Sequence, residues 1–256
     1  MEDFFSVEGK CVLVTGGSSG IGEMIVRGLA VAGAKVCVTS RKIDACEQLA
    51  TELRDAGANV FALSADLSSE DGCRRLAREF SDREERLDIL VNNAGATWGA
   101  SLEEFDEAAW ERVLALNVKA VFHLTKFLLP KLMAASTRED PARVINIGSI
   151  GGIVVSHFDN FSYTASKAAV HMLTRHLAKQ FAPHVTVNAV APGIVKSRMT
   201  KSILETQSDK FIAEIPMHRI GRDSDIVGSI IYLSSRAGSY ITGAIIPIDG
   251  GAASLG

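Results

Sequence analysis

The chain has 256 residues, 47% of them hydrophobic, enough to fill one large α/β core or two small ones. Its formal net charge of −3 comes from interspersed acids and bases, so no basic block neutralises nucleic-acid phosphates or grips an anionic membrane. The opening "MEDFFSVEGK" lacks the basic and apolar regions of a secretory signal, and the longest apolar stretch, Val113 to Ala135, is broken by Asn117, Lys119, His123, Lys126 and Pro130, which argues against a membrane span.

The first element is the apolar run "CVLVTG", read as a strand buried on both sides. It leads directly into "TGGSSGIG", where Thr15, Gly16, Gly20 and Gly22 precede a helical segment. A glycine after a strand permits a tight turn, a second lets backbone N–H groups approach a pyrophosphate, and the helix offers its positive end to that anion. The spacing G-x-x-x-G-x-G differs from the common G-x-G-x-x-G fingerprint. The second strand, "KVCVTS", ends at Ser40 and Arg41, where a dinucleotide site reads the adenosine ribose. An acid there would accept from a 2′-hydroxyl, whereas Arg41 pairs with a 2′-phosphate, so NADP(H) is expected over NAD(H). The third strand, in "NVFALSA", is followed by Asp66, which either accepts from the adenine amine or caps the helix begun by "DLSSED".

The fourth strand lies in "LDILVNNAG", and Trp98 beyond it either borders a site or packs. The helical stretch carrying Asn117 leads to a fifth strand, "RVINIGS", with Ser149 at its end. In "YTASKAAVHMLTR", read as a helix, Tyr163 and Lys167 share one face at i and i+4. His171 and His176 follow with no second ligand at a metal spacing and read as structural. The sixth strand, "VTVNAVAPG", carries Asn188, expected to support the loop holding Pro192 and Gly193. Residues 194–216 are the least patterned and are expected to form a mobile cap over a site. A seventh strand lies in "AIIPIDGG". Strands alternating with helices over residues 1–256 predict a single α/β domain, a parallel sheet wrapped by helices on both faces. Cys11, Cys37, Cys46 and Cys73 show neither CxxC nor Cys/His spacing; they read as packing residues in a reducing, cytoplasmic compartment, with no metal expected.

Taken together, "TGGSSGIG", "NNAG" (Asn92 to Gly95), Asn117 in "LNV", Ser149 in "INIGSIGG", "YTASK" and Pro192-Gly193 occur in the order and approximate spacing of the classical short-chain dehydrogenase/reductase family, which the chain resembles over nearly its whole length. The resemblance implies a Rossmann-like, doubly wound fold with a mainly seven-stranded parallel sheet, and an oxidoreductase acting on a small carbonyl or alcohol substrate. It implies a catalytic set of Asn117, Ser149, Tyr163 and Lys167. It also implies a cofactor cradle made of Gly16, Ser18, Ser19, Gly20, Ile21 and Gly22 in the first loop, then Ser40, Arg41, Asp66 and Leu67. Asn93, Ala94, Gly95, Tyr163, Lys167, Pro192, Gly193, Ile194 and Ser197 complete it, Ser197 standing where the family often has threonine. A homo-oligomer, dimer or tetramer, is the family expectation. "NNAGATWGASLEEF", "ARVINIGSIGGI" and "TGAIIPIDGG" look most like β-ketoacyl (3-oxoacyl) reductases, including the rhamnolipid-synthesis type. Sugar, polyol and steroid-type dehydrogenases are the runner-up. A non-catalytic nucleotide sensor of the same fold is disfavoured because all four reactive positions are filled.

Carbonyl reduction needs a hydride and a proton for the oxygen. Tyr163 is expected to supply the proton, its phenol lowered by roughly 3 units from about 10 with Lys167 one turn away. Ser149 is expected to hydrogen-bond the substrate oxygen, and Asn117 to hold a relay water; the plainer alternatives are a strand-end cap and a helix kink. In the cap, Met199, Ile203, Leu204, Phe211, Ile212 and Ile215 either offer apolar surface to an acyl chain or anchor the segment, while Lys196, Arg198 and Lys201 offer charge to an anionic carrier.

Overall fold

The computed structural model describes residues 4–156, 158–196, 200 and 212–255. Along β1 (Cys11–Thr15) every side chain is buried, because the strand is covered on both faces. Val12 and Val14 join one core while Cys11 and Leu13 join the other, as the two-residue period of a strand requires. The remaining strands are β2 (Lys35–Ser40), β3 (Val60–Ser64), β4 (Ile89–Asn92), β5 (Ala142–Ile147), β6 (Val185–Pro192) and β7 (Ile245–Ile248). All neighbours pair in parallel, in the order β3-β2-β1-β4-β5-β6-β7. All seven coincide with the apolar runs picked out in the sequence.

On one face the sheet is covered by α1 (Gly20–Val31), α2 (Ile43–Asp55) and α7 (Asp223–Ser234), which contribute Ile25, Leu29, Leu49, Leu53, Ile226 and Ile230 to the core. On the other lie α3 (Glu70–Arg83), α5 (Ala120–Ala135) and α6 (Phe161–Phe181). In α5 the buried stripe Leu124, Leu128 and Leu132 repeats every four residues, the spacing that keeps one helix face against a sheet. Each such leucine contributes about 1.5–3 kcal/mol when removed from water. Between α4 (Glu107–Leu114) and α5 the helix widens into a π-helical turn over Ala115–Lys119, where Ala120 N–H reaches Ala115 O, five residues back.

The chain runs outward from β1 to β2 and β3, then crosses back to β4. That reversal leaves a crevice between β1 and β4 at the carboxyl ends of the strands, the place where doubly wound sheets take ligands. A buried amide ladder fixes α6 over this region. Asn92 Nδ2 donates to Asn146 Oδ1 at 2.9 Å, and Asn146 Nδ2 donates to Thr174 Oγ1 at 2.9 Å. The ladder ties β4 and β5 to α6, so the helix cannot slide without stranding buried polar groups.

Candidate active site

The crevice is a cleft of about 820 Å³. Its upper wall is the loop after β1. Thr15 Oγ1 accepts from the backbone N–H of Asn93 and of Ala94, both at 3.0 Å, and Asn93 Nδ2 donates to Thr15 O at 2.9 Å and Gly16 O at 3.1 Å. These bonds stitch the ends of β1 and β4 together and hold the loop open. Gly16 has φ +63°, and a Cβ there would lie 2.9 Å from Ala94 Cα. The loop then enters α1, whose first residues Gly20 and Ile21 line the cleft without a side-chain cap from Ser19. An uncapped helix start of this kind suits an anion.

Gly16, Ser18, Ser19, Gly20 and Ile21 line the cleft as expected, but Gly22 does not. It is buried behind the loop, where a Cβ would sit 2.2 Å from Gly16 O and 2.4 Å from Asn93 Nδ2. Its glycine is required by the close approach of α1 to the loop, and the ligand is not what demands it. At one end of the cleft Ser18 Oγ donates to Ser40 Oγ at 2.9 Å, and Ser40 Oγ accepts from Lys42 N–H at 3.1 Å. Arg41 and Lys42 both line this end. The sequence reading missed Lys42, whose signal was its position one residue past Arg41 after β2. Leu67 lines the cleft while Asp66 stands outside its lining, exposed, with Oδ1 accepting from Ser68 N–H at 3.0 Å. Ser69 caps α3 by accepting from Gly72 N–H, so the helix-cap alternative for Asp66 is corrected.

The far end of the cleft holds Asn93, Ala94, Gly95, Ser149, Tyr163, Lys167, Pro192 and Gly193. Thr97, Gly148, Val195 and Thr200 also line it and were not foreseen; they lie on loops whose course only the fold sets. Ile194 lies outside the lining, and Ser197 lies outside the described residues, as do Met199, Ile203, Leu204, Phe211, Arg198 and Lys201. Ile215 is buried at 4% exposure, so it anchors its segment and offers no surface to a ligand. Trp98 also stands outside the lining, partly exposed beneath the Arg112 guanidinium. Asn188 does not support the Pro192-Gly193 loop: its Nδ2 donates to Ile241 O and its Oδ1 accepts from Ala244 N–H, which secures the approach to β7.

Tyr163 and Lys167 sit on α6, one turn apart, both facing the cleft. The Tyr163 phenol hydrogen-bonds with Ser149, whose Oγ also accepts from Gly151 N–H at 3.1 Å. Lys167 Nζ donates to Ile147 O at 2.7 Å and lies 5.6 Å from the centre of the Tyr163 ring. Burial pushes the ammonium down to about 8. Burial also raises the phenol, with the Ser149 hydrogen bond as a smaller opposing influence. Removal from water thus outweighs the hydrogen bond at the phenol, and Lys167 directs its ammonium to Ile147 O at the end of β5. The Asn117 side chain makes three hydrogen bonds. Its Oδ1 accepts from Ala96 N–H at 2.7 Å, and its Nδ2 donates to Ala96 O and to Ser166 Oγ, both at 2.9 Å. These bonds fasten the π-helical turn to the β4 loop and to α6, which is the kink-satisfying alternative.

Three features fit a phosphorylated dinucleotide: a glycine cradle with no room for side chains, two cations at the β2 end, and a phenol with an ammonium at the other. Comparison with known proteins agrees with that arrangement. The family model described as short chain dehydrogenase matches residues 10–208. The chain is 48% identical to the rhamnolipids biosynthesis 3-oxoacyl-[acyl-carrier-protein] reductase of Pseudomonas aeruginosa, over 98% of this chain and 99% of that one. It is 34% identical to the 3-oxoacyl-[acyl-carrier-protein] reductase FabG of Staphylococcus epidermidis, over 94% and 98%. The solved Pseudomonas aeruginosa RhlG/NADP active-site complex superposes with a TM-score of 0.94 at 47% identity, covering 99% of this chain and 100% of that one. A glycine-cradled crevice ending in Ser149, Tyr163 and Lys167, on a chain matched along most of its length, leads to one conclusion: the protein is an oxidoreductase that belongs to the short-chain dehydrogenase family.

Proposed function

We propose that this oxidoreductase is an NADP(H)-dependent 3-oxoacyl reductase with Tyr163 as its proton donor. The observation that carries the reading is the convergence of Ser149, Tyr163 and Lys167 at the end of the cleft opposite Arg41 and Lys42. NADPH, when bound, supplies the hydride that adds to the substrate's carbonyl carbon. Tyr163, kept protonated at neutral pH by its burial, gives its phenolic proton to the carbonyl oxygen as charge develops there. Ser149 steadies that oxygen with a hydrogen bond, and the Lys167 ammonium stabilises the phenolate left behind. Asn117 holds the β4 loop to α6 so that these groups keep their places.

Arg41 and Lys42, with the hydroxyls of Ser18 and Ser40, would hold the 2′-phosphate, while Gly16, Ser19, Gly20 and Ile21 would hold the pyrophosphate. Leu67 would flank the adenine, and Asn93 to Gly95, Pro192 and Gly193 the nicotinamide half. Residues 194–216 would cover the substrate, a reading supported by Val195 and Thr200 in the lining and by the Val195–Gly221 bridge that pins both stems. An apolar substrate is favoured by the turn after Ser149, which continues into exposed Ile153, Val154 and Val155, the last at 94% exposure. The names of the Pseudomonas and Staphylococcus relatives point the same way. A homo-oligomer is supported by exposed Phe4, Phe5, Tyr232 and Tyr240, of which Phe5 and Tyr232 lie against each other, and the four free thiols suit a reducing cytoplasm.

The test measures kcat/KM for an acetoacetyl or longer 3-oxoacyl thioester beside a hexulose, each with NADPH and NADH. The thioester with NADPH is expected to be preferred by at least tenfold. A tenfold advantage for the sugar would overturn the acyl assignment. Exchanging Arg41 and Lys42 together for serine should weaken NADPH at least 100-fold and leave NADH within threefold.

A further inference from the structure

His171 lies on α6 one turn beyond Lys167 and two beyond Tyr163, on the same helix face. It is buried, 6% exposed, and no role given above uses it. Its ring is wedged against the turn that carries Ser149. A Cβ on Gly148 would lie 2.3 Å from Nε2, and one on Gly152 would lie 2.9 Å from Cε1. The imidazole therefore occupies the side-chain space of Gly148, and at Gly152 it shares that space with the α6 backbone, Lys167 C at 2.6 Å and Ala168 N at 2.7 Å. From the other side the turn hangs on β6, where Gly148 N–H donates to Val190 O at 2.7 Å, and Gly152 N–H closes onto Ser149 O at 3.0 Å.

Nε2 is enclosed and has no hydrogen-bond partner among the described residues. A polar ring held there with one nitrogen unsatisfied is costly when an aliphatic side chain would fill the volume, so its flat, rigid shape is what the site uses. Burial, then the charges of Lys167 and Arg175, hold the imidazole below its ordinary value against the upward pull of a backbone hydrogen bond at Gly152. Both cations come from α6 itself, and Gly148 and Gly152, which meet the ring from the turn, carry no charge. At neutral pH the ring is uncharged.

We propose that His171 is a positioning residue: its neutral ring braces the Gly148 to Gly152 turn and thereby sets where Ser149 Oγ stands against Tyr163. The proposal rests on the reading of Ser149 and Tyr163 given above. A shift of a fraction of an ångström in Ser149 would carry its hydrogen atom away from the substrate oxygen, at a cost in kcat and not in cofactor binding.

A double-mutant cycle tests it, with kcat for a 3-oxoacyl thioester and NADPH measured on wild type, His171→Ala, Ser149→Ala and the double variant. His171→Ala is expected to lower kcat about tenfold with the KM for NADPH within threefold, and to cost less than threefold when Ser149 is already alanine. Equal losses in the two backgrounds, or a wild-type kcat for His171→Ala, would overturn the proposal. Where His171→Ala does not fold, His171→Asn replaces it in the cycle, with an expected loss of at least threefold and the same criterion. A Ser149→Ala variant with wild-type kcat would instead fault the catalytic reading on which the proposal stands.

Discussion

Two residues one helical turn apart, Tyr163 half-buried and Lys167 buried, pull in opposite directions on stability and function. Tyr163→Phe keeps the ring and its packing but removes the proton, so kcat should fall at least 100-fold while NADPH binding stays within threefold. Stopped turnover beside calorimetric titration of NADPH checks this, and a variant retaining a tenth of wild-type kcat removes Tyr163 from the acid role. Lys167 has its ammonium pushed from 10.5 to about 8 by burial. Below pH 8 both folded and unfolded chains hold that proton, so folding carries the whole cost of burying the charge, about 3 kcal/mol at 1.36 kcal/mol per unit. Between about pH 8 and 10.5 the unfolded chain binds more protons than the folded one, and stability rises with pH. Lys167→Met should therefore be inactive yet more stable than wild type at pH 7, by up to that amount, with the gap narrowing toward pH 10. Urea denaturation at both pH values decides it; a less stable methionine variant at pH 7 would show that the bond to Ile147 O outweighs the desolvation.

At the scale of elements, the cleft depends on how α1 meets the loop before it. Gly22 is where the helix backbone comes closest, with Gly16 O 2.2 Å from the place a Cβ would take. Gly22→Ala must push α1 away from β1 or twist the loop, so a loss of about 1–3 kcal/mol is expected, the range for overpacked cores. Because the displaced carbonyl belongs to the loop proposed to hold the pyrophosphate, NADPH should bind at least tenfold more weakly. Chemical denaturation and titration calorimetry read the two effects separately. Unchanged NADPH affinity would mean that the loop adjusts independently of the helix. The widened turn over Ala115–Lys119 works similarly, since it brings Asn117 within reach of both Ala96 and Ser166. A regular α-helix would rotate that amide away from one of them.

For the whole molecule, the exposed aromatic side chains set the expected assembly. Phe5 and Tyr232 lie with ring centres 6.3 Å apart, and Tyr240 nearby in the chain is fully exposed. Light scattering in line with gel filtration should give at least twice the 27.3 kDa of one chain, and a monomer at micromolar concentration would sink the expectation.

The sequence by itself determined the seven strands, the two-sided burial of the sheet, the glycine loop and the helix carrying Tyr163 and Lys167, because each rests on local spacing: alternation, apolar runs, and an i, i+4 pair. Arg41 was legible for the same reason, standing at the end of a strand whose position followed from its pattern. What only the tertiary structure decided depends on contacts between distant segments. Gly22 faces Asn93 rather than the cleft, Asn117 spends its amide on Ala96 and Ser166, and His171 packs under the Ser149 turn. The protonation of Tyr163 belongs to the same class. Its pKa is set by how much water the assembled cleft removes from the ring, a quantity that no spacing along the chain contains.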